Sequence, residues 1–295
     1  MTQHPLLKSL SPRLGLLSLG TVLTLVSTSL HAGQASKEIA PPVNEPAPAS
    51  RFSGDLGVTF ANQYNTRGII VQDQGLTIQP YGDIYLTLYE GDGFINKVQF
   101  TAGFWGDFST EDNVKGPDSD WDNFTEFDVD AGFIVNFAKR FTLSSVWNGW
   151  TSPSDAYGDG HFINSKLSFD DSGLITKNFA IAPYFVFLYE LPAEGQAGLA
   201  PEAWYFEPGI TPSYTFAKDS KHPVNVGVNA KFGLGDKFYA GETYGYFAVG
   251  PQVTVPLGPV TASAGYRYYN LGDTLKPIQG SRDEHLFTFS LTANF

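Results

Sequence analysis

The chain of 295 residues contains no cysteine. This absence excludes a disulfide framework, a thiolate nucleophile and any metal site built from thiolates. Basic residues are scarce as well, because 18 Lys and Arg stand against 30 Asp and Glu and leave a net charge of −12. Binding to nucleic-acid phosphates needs a basic face, so this charge argues against a nucleic-acid partner.

Long hydrophobic runs are absent after the N-terminus, which argues against membrane-spanning helices in the main part of the chain. At the N-terminus, Lys8 and Arg13 precede an apolar segment over 14–30, and small residues follow it. This layout predicts a secretory signal peptide over 1–35. An uncleaved anchor is the weaker alternative, since the segment is short and interrupted by glycine and hydroxyl residues. The proline-rich stretch 36–51 is predicted to be a disordered leader.

Aromatic residues and glycine are abundant, with 24 Phe, 15 Tyr, 5 Trp and 31 Gly. From Phe52 onward, apolar and polar residues alternate in segments of about ten residues, the length of an amphipathic strand that crosses a bilayer. In KVQFTAGFWGD, Phe100 and Phe104 fall on one face, and Thr101 and Asp107 fall on the other. Twelve such strands are predicted, over 52–61, 76–89, 97–107, 126–137, 140–150, 161–169, 178–190, 203–216, 223–234, 244–256, 259–270 and 284–295.

The connections between these segments alternate between long and short, with the shortest near Ala138-Lys139 and Leu257-Gly258. A transmembrane barrel has an even number of strands, short periplasmic turns and long external loops. The prediction is therefore an all-β fold, an antiparallel up-and-down transmembrane barrel of about twelve strands over 52–295, in the outer membrane with both termini periplasmic. A secreted β-sandwich or lipocalin-like barrel is the alternative, but the charged residues on the polar faces suit a wet lumen.

The chain ends in EHLFTFSLTANF, a strand pattern that runs to the last residue. Chain ends usually fray, so such an ending predicts that the last strand pairs with the first and closes the barrel. The ending resembles the C-terminal signature of Gram-negative outer-membrane proteins. That resemblance implies recognition by the barrel-assembly machinery, with an assembly signal formed by Phe287, Phe289, Leu291 and Phe295. Outer-membrane lipid and lipopolysaccharide are then the expected surroundings.

The stretch FANQYNTRGIIVQDQGLTIQPYGDIYLTLY resembles the start of the TorF-type porin family. The matching residues are Tyr64, Arg67, Gly68 and Ile69, followed by Gln74 and Gln79. The resemblance covers about forty residues and implies an outer-membrane barrel for passive transport.

Charged residues on the polar faces are predicted to line a pore. The acids are Asp83, Asp107, Glu126, Asp128, Asp130 and Glu207, and the bases are Lys166, Lys231 and Arg267. Arg67 is a further candidate in or near the first external loop. Opposed acids and bases select solutes by charge, and the excess of acids favours cationic or neutral solutes. We therefore expect passive diffusion of small hydrophilic solutes.

Two alternatives to a porin remain open. Internal salt bridges could brace a closed barrel, which would then be a non-conducting structural or adhesive protein whose external loops bind partners. A lipid-modifying enzyme is the less favoured alternative. His161 lies near Ser154, Asp159 and Ser165 in the sequence, but the chain has no Gly-x-Ser-x-Gly motif. We expect no catalytic residues, no cofactor and no metal site.

The most acidic stretch, 107–130, resembles a calcium loop only in part. Asp118, Asp120 and Asp122 have the opening spacing, but Asn123 stands where that motif needs Gly and Val129 where it needs Glu. A solvated external loop is the preferred interpretation, with a weak divalent-cation site as the alternative.

Tyrosine and tryptophan lie towards segment ends and are predicted to form headgroup-level girdles, with some facing the lumen. The candidates are Tyr81, Tyr85, Tyr89, Trp105, Trp147, Trp150, Trp204, Tyr205, Tyr266, Tyr268 and Tyr269.

Overall fold

The computed structural model describes residues 51–111, 123–195, 197–280 and 283–295. The predicted signal peptide and the leader up to residue 50 lie outside the described residues, as do Asp118, Asp120 and Asp122 of the acidic loop. Among the described residues, no helix has the length and hydrophobicity needed to cross a membrane.

The strands of the described chain form one antiparallel barrel and one small hairpin. The barrel strands are β1 (Phe52–Ala61), β4 (Thr77–Glu90), β5 (Ile95–Ser109), β6 (Phe124–Phe137), β7 (Phe141–Thr151), β8 (Gly160–Phe169), β9 (Phe179–Ala180), β10 (Tyr184–Glu190), β11 (Trp204–Ile210), β12 (Ser213–Phe216), β13 (Val224–Gly235), β14 (Tyr244–Leu257), β15 (Val260–Leu271) and β16 (Asp283–Asn294). The hairpin is β2 (Tyr64–Thr66) and β3 (Ile69–Gln72). The chain between strands also forms a 3-10 turn (Lys237–Tyr239) and a short helix α1 (Leu275–Gln279).

These segments make up the twelve wall positions of the barrel, here called staves. There are twelve because β9 with β10 and β11 with β12 each form one interrupted stave. Pro183 separates β9 from β10, and Pro212 separates β11 from β12. Proline has no N–H to donate to a neighbouring strand, which explains why pairing breaks at these two positions. The twelve predicted strands are confirmed, each within a few residues of its predicted bounds.

The barrel closes where the last strand meets the first. β16 pairs with β1 over seven residue pairs, from Ala61 with Thr288 to Asp55 with Asn294. The pairing extends to the last residue, because the Phe295 N–H donates to the Gly54 carbonyl at 3.0 Å and the Gly54 N–H to the Phe295 carbonyl at 2.9 Å. Closure therefore leaves no free strand edge, as expected from the C-terminal sequence.

The outer surface of the barrel is apolar. On β16, Phe287 and Phe289 are 56% and 44% exposed. Ser290, which lies between the outward-facing residues Phe289 and Leu291, is buried. Large apolar side chains face outward on the other strands too, including Leu56, Ile84, Phe104, Val129, Phe133, Leu143, Trp147, Leu167, Phe185, Tyr214, Val228, Phe232 and Val253. A continuous apolar exterior around a closed strand ring is the pattern of a barrel that faces lipid.

The two ends of the barrel differ. One end, here called the loop end, carries the connections 62–76, 110–123, 152–159, 191–203, 236–243 and 272–282. The other, the turn end, carries 91–94, 138–140, 170–178, 217–223 and 258–259 together with the start of β1 and the last residue, Phe295. Long and short connections alternate as predicted, except that 170–178 is one residue longer than 152–159.

Inside the wall, tyrosine rings lie over glycines of neighbouring strands. Tyr81 on β4 covers Gly57 on β1, and Tyr184 on β10 covers Gly209 on β11, so that a Cβ at either glycine would collide with the ring. These rings lie flat against the wall because glycine leaves the space.

Candidate functional site

The β2–β3 hairpin folds into the lumen at the loop end. Its residues Tyr64, Thr66 and Ile69 are each at most 2% exposed. At one side of the lumen, the Tyr64 ring lies 5.1 Å from the Trp105 ring, and the Tyr64 hydroxyl donates to Glu126 at 3.0 Å. The first predicted external loop is therefore an internal element.

The tip of the hairpin reaches the opposite side of the barrel. The Arg67 guanidinium lies over the rings of Phe162 and Tyr205, at 5.5 and 5.3 Å from their centroids. The Tyr239 hydroxyl donates to the Arg67 carbonyl at 2.9 Å, and the Gln279 amide donates to the Gly68 carbonyl at 2.8 Å. Arg67 adopts a positive φ of 47° in this turn. The hairpin thus spans the lumen and is bonded at both sides.

A hydrophobic core surrounds the hairpin tip. Ile69 belongs to a cluster that includes Trp150, Phe162, Tyr205, Tyr239, Tyr246, Leu271 and Leu275, all at most 3% exposed. The cluster draws on the strand ends, the 3-10 turn and α1. It fills the loop-end half of the lumen with close-packed side chains.

The turn-end half of the lumen has a different lining, which we call the polar vestibule. Most of its inward side chains are polar, uncharged and half-buried: Thr87, Gln99, Asn136, Thr142, Ser144, Ser168, Thr215, Asn225, Gln252, Thr254, Thr261 and Thr292. Partial exposure of inward groups means that water reaches them from the turn end. The lumen is therefore hydrophilic in its turn-end half and filled with packed side chains in its loop-end half.

Between the two halves lies a charged belt, and its acids occupy one arc of the wall. Asp55 on β1 is directly opposite Asp83 on β4, and Gly103 on β5 links Asp83 to Asp130 on β6 in the same cross-strand row. Gly103 has no side chain, and the Asp83 carboxylate lies over it. Tyr85 donates to Asp55 at 2.9 Å. The acidic arc therefore runs over adjacent strands.

Towards the loop end, the same arc carries further buried acids. Glu126 on β6 is fully buried and accepts hydrogen bonds from the hydroxyls of Tyr64 and Tyr157. Burial and the nearby Glu126 raise the pKa of the Tyr157 phenol in the 152–159 connection well above its usual value, which keeps that hydroxyl a donor. Asp128 and Asp107 are also fully buried, and Asp107 accepts from Gln79 at 3.0 Å.

The bases occupy the remaining part of the wall, the basic arc. Lys166 lies on β8, Lys231 on β13 and Arg267 on β15. Lys166 Nζ sits 4.9 Å from the Tyr184 ring centroid, and Arg267 donates to the Tyr269 hydroxyl at 3.4 Å.

Glu207 on β11 is an acidic residue that lies at the centre of the basic arc. Its carboxylate accepts from Lys231 at 2.8 Å, and the hydroxyls of Tyr205, Tyr246 and Tyr184 donate to it at 2.6, 2.9 and 3.1 Å. Three hydroxyl donors and one ammonium saturate the carboxylate, as a buried charge requires. Glu207 and Lys231 thus form a neutral pair within the arc.

The two arcs face each other across the ring. β14 is six staves from β6, so β13 to β15 form the wall opposite Asp130. Lys231 and Arg267 lie on that wall. All nine predicted pore-lining residues point inward. The buried ones are Asp107, Glu126, Asp128, Asp130 and Glu207, and the half-buried ones are Asp83, Lys166, Lys231 and Arg267. The alternation did not single out Asp55, Tyr64 or Tyr239.

One prediction from the sequence is corrected by the structure, and another is made more specific. Arg67 belongs to the first connection as expected, but it is only 6% exposed and lies in the lumen. Some of the girdle candidates were expected to face the lumen, and the structure identifies them as Tyr81, Trp105, Trp150, Tyr205 and Tyr269, which are buried inside the barrel. Tyr89 and Trp147 are exposed on the outside.

The serines near His161 do not assemble with it. In the described chain, Ser154 bonds to Ser152 at 3.2 Å and Ser165 to Ser145 at 2.9 Å, and neither bonds to the imidazole. No group of three or more His, Asp or Glu residues suited to a metal ion occurs in the ranges that the structure describes.

A scan against protein-family models and a search of curated proteins find no match to the sequence. Solved structures similar to the fold include the β domain of the Bordetella autotransporter BrkA (11% identity, 82% of this chain, 98% of that chain, TM-score 0.48). An outer membrane channel from Pseudomonas putida F1 (10%, 88%, 100%, 0.46) and the KdgM porin (8%, 82%, 99%, 0.43) are also similar. The barrel itself is established by the strand pairing of this chain. Membership of the TorF-type porin family stays a prediction.

Proposed function

We propose that the barrel is an outer-membrane porin through which small hydrophilic solutes diffuse passively. The observation that carries this proposal is the lumen's division into a half-exposed polar vestibule and a belt of opposed charges. A purely structural barrel has no need for a lumen lined by uncharged polar groups that water reaches. The role requires no catalytic residue and no cofactor.

The apolar exterior supports a position in lipid, and the proposal places the loop end outside the cell and both termini in the periplasm. The surroundings are then outer-membrane lipid and lipopolysaccharide. The last strand, with Phe287, Phe289, Leu291 and Phe295 on its outer face, is the segment that the assembly machinery would contact.

Acids outnumber bases in the belt, so the proposal includes a preference for cationic or neutral solutes. The β2–β3 hairpin is the constriction that sets the rate, because it occupies the loop-end half that a solute must cross. Conduction therefore depends on how far the hairpin leaves its contacts with Tyr239 and Gln279.

The test is electrical. The refolded chain is inserted into a planar bilayer with a salt gradient, and current is recorded for the native barrel and for a variant in which 64–72 is replaced by a short glycine-rich link. The proposal expects stepwise conductance in the native barrel, a larger step in the variant, and a cation-selective reversal potential in both. Silence of both barrels, with folding shown by heat-dependent gel mobility, would refute it.

A non-conducting barrel with partner-binding external loops is the second candidate. The packed loop-end core favours this candidate, because its members Phe162, Tyr205, Tyr246 and Leu271 are each fully buried. The conductance of the hairpin variant separates the two candidates.

A further inference from the structure

We propose that the solutes of this porin are zwitterions that carry an ammonium and a carboxylate on one small hydrophilic molecule. This inference rests on the proposed function and names its substrate class. It follows from the placement of the charges in the belt.

The acidic arc places like charges side by side on neighbouring strands. Asp55 and Asp83 are direct cross-strand neighbours, and like charges in that relation destabilise a sheet. The Oδ2 atom of Asp130 is buried without a hydrogen-bond partner among the described residues. Buried carboxylate oxygens normally have donors, so an ammonium group that passes through the belt supplies what this oxygen lacks.

The basic arc offers the complementary charge. Lys231 and Glu207 neutralise each other, at 2.8 Å and with side chains 12% and 6% exposed. Lys166 and Arg267 contribute two further positive charges to the same arc. Both point inward and flank the Glu207–Lys231 pair: β8 is four staves from β4, and β15 is two staves from β1. The midpoint between them, at β11 and β13, lies across the ring from β4 and β5.

Opposed charges on the walls of a narrow lumen create a field across it rather than along it. A simple cation is attracted by one wall and repelled by the other, and a simple anion likewise. A zwitterion gains from both walls when it turns its ammonium to the acidic arc and its carboxylate to the basic arc. The vestibule is lined mainly by uncharged groups and admits the solute without preference, so selection occurs at the belt.

The experiment compares γ-aminobutyrate, a zwitterion, with erythritol, a neutral solute of similar size. Swelling of proteoliposomes that contain the full-length barrel is measured in isosmotic solutions of each. We expect γ-aminobutyrate to enter at least about threefold faster than erythritol, because the transverse field acts only on the charged solute. Equal rates for the two solutes would overturn the inference but leave the porin proposal standing. A folded barrel that admits neither solute would overturn both.

Two variants test whether both arcs are needed. Asp130→Asn weakens the acidic arc and Arg267→Gln weakens the basic arc, so we expect each to bring the rate ratio close to one. Their reversal potentials in a salt gradient should shift in opposite directions, towards anions and towards cations. Lys177→Gln is the control, because Lys177 is exposed in the 170–178 turn and pairs with Asp219 outside the lumen. A ratio that one arc's variant leaves at the native value would contradict the two-wall account.

Discussion

The Tyr239 hydroxyl donates a hydrogen bond to the backbone carbonyl of Arg67 at 2.9 Å, although the two residues are 172 positions apart in the chain. The bond joins the tip of the hairpin to the 3-10 turn on the far side of the lumen. It therefore holds the constriction in place, and it can be removed without altering the charged belt.

Replacement of Tyr239 by Phe should increase the time the channel spends open. The change leaves the buried Arg67 carbonyl without its donor, which weakens the closed state by about 1–3 kcal/mol. Single-channel recordings measure the open fraction. Tyr266→Phe is the matched control, since the Tyr266 hydroxyl bonds His285 at an exposed position. An open fraction equal to that of the native barrel would show that this bond does not hold the hairpin.

The same bond should be insensitive to alkaline pH. Burial raises the pKa of the Tyr239 phenol, which lies between β13 and β14, well above its usual value. The folded state therefore favours the neutral phenol, and the donor is kept as pH rises through the usual range of tyrosine. Recordings at neutral and alkaline pH should give the same open fraction in the native barrel. An increase that disappears in Tyr239→Phe would contradict this assignment.

Loss of one partner of the Glu207–Lys231 pair should destabilise the barrel strongly. Lys231→Met leaves a buried carboxylate without its counter-charge, at a cost of about 3–5 kcal/mol in the free energy of unfolding. The double variant Glu207→Gln, Lys231→Met should lose less than the sum of the single variants, because the unpaired charge is gone. Urea-induced unfolding in lipid vesicles measures all three values. Additive losses would indicate that the pair is not coupled.

Gly57 should not tolerate a side chain. Valine at this position collides with the Tyr81 ring, and we expect a loss of about 1–3 kcal/mol in the free energy of unfolding from overpacking. Gly93→Ala is the control, since a Cβ there meets nothing closer than a carbonyl at 4.0 Å. Thermal unfolding followed by gel mobility compares the two. Equal stability of both variants would mean that the ring is free to move off the wall.

Phe295→Ala should separate folding from assembly. The backbone hydrogen bonds to Gly54 do not need the ring, so refolding in detergent should proceed as in the native chain. Insertion in cells should fall if the ring belongs to the assembly signal. Phe94→Ala is the matched control, because Phe94 is an exposed phenylalanine of the turn end that lies outside the last strand. Equal insertion of both variants would remove Phe295 from the signal.

The alternation of residue types predicted the barrel almost completely. Strand period and connection lengths are local properties, so twelve staves and their faces could be read before any contact was known. The inward positions of Asp83, Asp130 and Arg267 follow from the same period.

The hairpin could not be predicted in this way. Its strands β2 and β3 are too short to show a period, and its position depends on Tyr239, Gln279 and Glu126, which are distant in sequence. The apolar run Ile69–Val71 within a polar connection was the available signal. Which girdle candidates face the lumen, as Trp105 and Trp150 do, could not be predicted for a related reason, because alternation does not show what fills the lumen.

The most direct test of the account is the single-channel current of the native barrel and of the variant that lacks 64–72, recorded across a salt gradient. The account predicts stepwise conductance in both, a larger step without the hairpin and a reversal potential on the cation side. Well-folded barrels that carry no current in either form would contradict it, and the external loops would then be the site of function.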